Sequence, residues 1–182
     1  MHETSLGGTI RDYLTGEARE RTTYEDLRQT LARYLVEDRG FSPEFLAPRY
    51  PVEYGVKGET LIREADIAVL LPSGAPGLFL VFCAGQIHTY AREVRAMARL
   101  ALPGPCPLAV VTDMRDAELF AASDGRVLAS GLHALPAPDV LESLARQYAQ
   151  EPLTDEQRAK ESRILHAYTG FLKTCCGESC TL

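Results

Sequence analysis

The chain has 182 residues, is 46% apolar and 24% charged, and carries a formal net charge of −6, which suits one hydrophobic core with extensions and excludes a disordered polyelectrolyte. Its apolar runs, Ile67 to Pro72 and Leu78 to Ala84, are strand-length and far short of the ~18 to 20 residues of a membrane helix, so no membrane partner is expected. The acidic balance also excludes a protein whose whole field attracts nucleic acid. With lysine only at 57, 160 and 173, any DNA contact would need a local arginine patch.

Met1 to Thr9 contains no basic stretch followed by an apolar one, so a cytoplasmic location is expected. The five cysteines, an odd number, then read as reduced thiols. Taken in order, Thr22 to Asp38 has Leu27, Leu31, Tyr34 and Leu35 at helical spacing, with Gly40 beyond its end. Ala47 to Tyr54, interrupted by Pro48 and Pro51, reads as an edge strand. Leu61 to Leu71 and Leu78 to Ala84 follow as strands around the turn-rich Pro72 to Gly77, which makes a meander of three. Ile87, Tyr90, Val94, Met97 and Ala98 mark a second helix that ends near Pro103-Gly104-Pro105. Leu108 to Thr112 and Glu118 to Ala122 are further strands. The resulting order, αβββαβ, is an α/β fold in which the intervening helix makes the third and fourth strands parallel, giving a mixed sheet flanked by helices. Beyond Pro136, Val140 to Tyr148 and the Thr154-capped stretch through Leu172 give two more helices. The expected organisation is an arm over 1–20, a core over 21–135 and a two-helix extension with a cysteine-rich tail over 136–182.

Asp66 demands compensation. Strand alternation sets it on one face with Ala68 and Leu70, where an unpaired carboxylate costs several kcal/mol. Either an ion pair with Arg63, Arg28 or a backbone amide satisfies it, or it ligates a divalent metal. Glu25 has two readings as well, since Thr22-x-x-Glu25 is a capping box that requires no metal. Arg92, Glu93 and Arg95 on the second helix form a solvated face or a phosphate-contacting one. His88 reads as a surface or cap residue. Cys175, Cys176 and Cys180 could bind zinc if His166 or a second chain supplied a fourth ligand, although a frayed terminus is the simpler reading. No Gly-rich phosphate loop, G-x-S-x-G or H-E-x-x-H occurs.

Several stretches in order resemble the N-terminal domain of type I restriction enzyme R proteins, a branch of the PD-(D/E)XK nuclease superfamily. These are Tyr24-Glu25-Asp26-Leu27-Arg28 running into Tyr34-Leu35-Val36-Glu37, Tyr50-Pro51-Val52, and Arg63-Glu64-Ala65-Asp66-Ile67-Ala68-Val69, which is similar to that family's R-x-x-D-I-V-V strand. Leu78 to Gly85 stands where its V-E-C-K-A strand belongs, and Ala109-Val110-Val111-Thr112-Asp113 with Glu118-Leu119-Phe120 resembles its closing segment. The resemblance implies a restriction-endonuclease-like core in which Asp66 and Glu25 match Mg²⁺ ligands. It also implies that the metal-binding Glu and the water-orienting Lys of the third strand fall on Phe82 and Ala84. Metal-dependent cutting, with Mg²⁺ as cofactor, then requires migrated residues such as Lys57 or Gln86. Otherwise the domain binds nucleic acid through residues such as Arg92, Arg95 and Lys57, or binds a restriction or repair partner, or serves as a scaffold whose C-terminal helices dock another protein. Full-length family members carry an ATP-driven motor. No Walker motif occurs in these residues, so a motor or methyltransferase is a possible partner.

Overall fold

The computed structural model describes residues 4–83 and 86–177, with side chains up to 168. Ala84 lies outside the described residues, as do Cys180 and the side chains of Cys175 and Cys176. The chain opens with a hairpin of β1 (Ser5–Arg11) and β2 (Ala18–Thr22), which leads directly into α1 (Thr23–Arg33). Thr22 caps α1 by accepting from the Glu25 amide at 3.0 Å, and Glu25 and Asp26 place negative charge in the first turn. The expected helix over Thr22 to Asp38 is therefore real but changes its winding. Tyr34–Asp38 forms a wider π-turn in which the Arg39 amide reaches the Tyr34 carbonyl. Gly40, at φ +77°, then reverses the chain so that Phe41 is buried together with Leu35.

Six strands form the main sheet: β3 (Leu46–Val56), β4 (Glu59–Leu70), β5 (Pro76–Phe82), β6 (Leu108–Thr112), β7 (Ala117–Ala121) and β8 (Val127–Ser130), lying side by side in chain order. All neighbours are antiparallel except β5 and β6, which are joined through α2 (Ile87–Leu100) and run parallel. This is the expected mixed sheet, with β3 at an edge where Pro48 and Pro51 are tolerated. Strand β8 and the β1–β2 hairpin were not expected. Neither alternates cleanly between apolar and polar residues, and both are set by hydrogen bonds to better-marked neighbours: the Thr23 amide to the Thr4 carbonyl, and the Gly131 amide to the Ala117 carbonyl.

The sheet separates two cores. Phe79, Val81, Val111 and Phe120 pack against Val94, Met97 and Leu100 of α2 and Leu165 of α4 (Asp155–Gly177). On the other face, Ile67, Leu78, Leu80, Leu108 and Val110 meet Leu31 and Leu35 and, from α3 (Pro138–Gln147), Leu141. The two C-terminal helices thus diverge to opposite faces, each completing a core. Helix α4 begins with a reciprocal capping box: the Gln157 amide donates to Thr154 Oγ1 at 3.3 Å and the Thr154 amide to Gln157 Oε1 at 3.0 Å.

One irregularity positions the site. Ala65 and Ala68 both face the α2–α4 core, while Ile67 and Val69 face the α1–α3 core, so the two-residue alternation of β4 slips at Asp66. Opposite it on β3, between the pairs Pro48–Ile67 and Tyr50–Ala65, Arg49 adopts φ +52°, in the left-handed region. Asp66 therefore does not share a face with Ala68, as simple alternation requires, but turns toward α1. Because Leu165 is fully buried in the first core, Leu165→Ala is expected to cost about 2–4 kcal/mol and lower Tm by roughly 4–16 °C, as read by thermal unfolding.

Candidate functional site

The slip at Asp66 coincides with the end of a ladder. Pairing between β4 and β5 runs as far as Ile67 opposite Leu80, and beyond that point the Asp66 side chain replaces the backbone, with Oδ2 accepting from the Phe82 amide at 2.7 Å. Its other oxygen, Oδ1, accepts from Arg28 Nη2 at 3.2 Å. Both halves of the ion-pair reading of Asp66 are thus present, with Arg28 as the cation and a backbone amide as the second donor.

Arg28 lies one turn beyond Glu25 on α1, and its Nη1 donates to Glu25 Oε2. Glu25 is completely buried. Its carboxylate also receives Arg49, at 2.5 Å on Oε2, and Gln29, whose Nε2 is 2.6 Å from Oε1. The backbone half of the capping motif is in place, while the carboxylate faces inward. Burial alone would push Glu25 toward the neutral form, but the hydrogen bonds from Arg49 and Gln29 and the charges of Arg28 and Arg49 outweigh it and hold the pKa below the usual carboxylate range. Gln29 continues the network to the N-terminal hairpin: its Nε2 donates to Asp12 Oδ2 at 3.1 Å, and its Oε1 accepts from the Tyr13 amide at 2.6 Å. Burial raises the pKa of Asp12, yet the Thr15 and Leu14 amides and Gln29 bring the net value down. Arg49 also lies 3.5 Å from the half-exposed Glu64.

Across β4, Arg63 Nε donates to Glu93 Oε1 at 2.9 Å, and Glu93 is fully buried on α2. Burial works against the Arg63 charge, but Glu93, with smaller help from Asp66 and Tyr24, raises its pKa above the ordinary guanidinium value. Phe82 is half-buried and meets Tyr24 edge to face at 5.7 Å. Charges therefore alternate through the site, in the order Glu25, Arg28, Asp66, Arg63, Glu93. Among the described residues no group of three or more His, Cys, Asp or Glu is gathered for a metal.

The remaining candidates lie elsewhere. Lys57 occupies the exposed tip of the β3–β4 hairpin at φ +52°, next to Gly58, roughly 20–25 Å along the strand from Asp66. Gln86 is exposed at the start of α2, and His88, 79% exposed, contacts Glu118 at 3.1 Å. Arg92 and Arg99 both grip Glu161 of α4 at 2.9 Å, and Arg95 donates to the carbonyls of Ala122 and Ser123 at 2.9 and 2.5 Å. The arginines of α2 thus face packed structure rather than open solvent. His166 tilts against Tyr54, with ring centroids 6.5 Å apart. Sequence reading missed Arg49, Gln29 and Asp12. Only the strand register opposes Arg49 to Asp66, and only the hairpin's return brings Asp12 to α1.

Removing one partner of a buried ion pair costs about 3–5 kcal/mol, so Glu25→Gln is expected to destabilise the domain by about 3 kcal/mol at pH 7. Because the folded pKa of Glu25 is depressed, its stabilisation is complete above the ordinary carboxylate range near pH 4–4.5 and is lost as pH falls through the folded value. The gap between wild type and Glu25→Gln in denaturant titrations should therefore close on acidification; a gap constant down to pH 3 would contradict this electrostatic account.

A family model for the type I restriction enzyme R protein N terminus matches residues 23–136. This stretch runs from the first residue of α1 to the segment before α3 and contains Glu25, Arg28, Asp66 and Phe82. No curated protein and no solved structure matches the chain. The mixed six-stranded sheet, the crossover helix and this match over most of the chain agree, and the chain belongs to the family of type I restriction enzyme R protein N-terminal domains.

Proposed function

We propose that this domain is a non-cutting member of its family, which acts by binding within a restriction or repair assembly. The observation that carries the reading is the Arg28 guanidinium joined to both Glu25 and Asp66. Phosphodiester hydrolysis by a metal route needs a cation to stabilise charge on the phosphate and a group to activate water. The two carboxylates that would hold Mg²⁺ are already neutralised by a covalently attached cation. At the neighbouring strand end Phe82 offers a hydrocarbon ring, and position 84, which the resemblance matches to the family's lysine, is an alanine in the sequence, a residue with no group to orient or deprotonate water. Lys57 is too far from Asp66 to replace a missing lysine.

The partner is a separate question. Arg28, Arg49, Arg63, Arg92, Arg95 and Arg99 all serve internal carboxylates or carbonyls, so the arginines of α2 and of the site are engaged within the fold, on a chain of charge −6. That favours a protein partner over nucleic acid as the main ligand. The apolar face of α3 and, among the described side chains of α4, Ile164 and Leu165 are used on the two cores, so such a partner would meet outer surfaces such as that of α3, where Val140 is 44% exposed.

Plasmid and single-strand cleavage with Mg²⁺ and with Mn²⁺, run on wild type beside Asp66→Ala, should give no metal-dependent product from either protein. Cutting by wild type that disappears in Asp66→Ala would overturn the proposal. A salt series on nucleic-acid binding separates the two kinds of partner, since each phosphate contact contributes about −0.9 to the slope of log K against log salt. A slope shallower than about two contacts is expected.

A further inference from the structure

Arg28 is only 7% exposed, and it bridges two carboxylates carried by different elements: Glu25 on α1, with no exposure, and Asp66 on β4, at 16%. Its own hydrogen bonding is incomplete, because Nε is buried without a partner among the described residues. A guanidinium with five donors is therefore used through its two terminal nitrogens only, as a cation wedged between two anions. Removing its charge would leave Glu25 and Asp66, with Glu64 beside Arg49, around a vacated space. Two carboxylates on rigid elements, one held by a backbone amide and the other by Gln29, are a donor set suited to a small, hard divalent ion that keeps several waters.

We infer that Arg28 is the resident cation of a latent divalent-metal site, and that its guanidinium is what keeps Mg²⁺ or Mn²⁺ out of the space between Glu25 and Asp66. This rests on the non-cutting reading and names the group that enforces it. The other charges facing Arg28 do not substitute for it. Arg49 pairs with Glu25 and Glu64, and Arg63 with Glu93.

The test is Mn²⁺ binding, followed by electron paramagnetic resonance and by thermal unfolding, on wild type, Arg28→Gln, Arg28→Met and Arg28→Gln/Asp66→Asn. Wild type should bind no Mn²⁺, and its Tm should be the same with Mn²⁺ or with chelator. Arg28→Gln, which keeps a polar group beside Glu25, should bind one Mn²⁺ weakly and saturably, as an ion held by two carboxylates and several waters would be. Its Tm should rise with Mn²⁺ concentration, as a ligand specific to the folded state requires. Arg28→Met should behave alike, and the double variant should lose the binding. A folded Arg28→Gln that takes up no Mn²⁺, or a wild type that binds Mn²⁺ through Asp66, would overturn the inference. No nucleic acid enters this measurement, so cleavage by wild type would defeat the functional reading separately, and absence of cleavage would leave this result to stand or fall alone.

Discussion

A carboxylate with no solvent exposure is the constraint around which the rest of the site is arranged. Glu25 lies where an uncompensated charge would cost several kcal/mol, and it remains charged because three side chains from two elements converge on it. Arg28 and Gln29 come from its own helix, and Arg49 comes from an edge strand. Each of these is fixed in turn by a further contact: Arg28 by Asp66, Gln29 by Asp12, and Arg49 by Glu64. The N-terminal hairpin, α1, β3, β4 and the end of β5 are thereby connected through one set of charged and amide groups. Such a network is worth more than its separate pairs only while every member is present. Its members should therefore respond to substitution as a unit rather than additively.

The backbone is shaped to permit this. A regular β4 would send Asp66 toward the α2–α4 core, away from Arg28. The left-handed residue on β3 and the slip opposite it turn two consecutive side chains, Asp66 and Ile67, to the α1 side. Left-handed backbone is costly for a non-glycine residue, about 1 kcal/mol or more. Here it is held in place by the pairing of Arg49 with Glu25 and Glu64. The same irregularity frees the Phe82 amide to donate to Asp66 instead of to a strand neighbour. Strain in β3, the loss of pairing between β4 and β5, and the position of the carboxylate are consequences of one local distortion.

How much of this was legible in the sequence follows from the range of the forces involved. The meander, the crossover helix and the parallel β5–β6 pair rest on local periodicity and on turn residues, and they appear as expected from Leu46 to Ala121. Arg28 was nameable as a partner for Asp66 because Glu25 and Arg28 share a helix face and Asp66 needed a cation. Arg49 was not, because its role depends on strand register and on one dihedral angle that no periodicity reveals. The engagement of Arg92 and Arg99 by Glu161 was equally hidden. An amphipathic helix pattern distinguishes apolar from polar faces, but it does not show that a second helix bearing Glu161 will cover the polar side.

Arginine is the residue best suited to phosphate, and a chain with sixteen of them among 182 residues could have presented a basic surface despite its acidic total. Instead, six of these guanidiniums are drawn into the two helix–sheet interfaces and the site between them. A charge that satisfies a buried carboxylate is spent as a structural counter-ion, since releasing it to a ligand would expose that carboxylate's full desolvation cost. The arrangement that neutralises these carboxylates thus also engages six of the sixteen arginines within the fold. Internal carboxylates at the site and on both faces of the sheet are balanced by arginines from the chain itself.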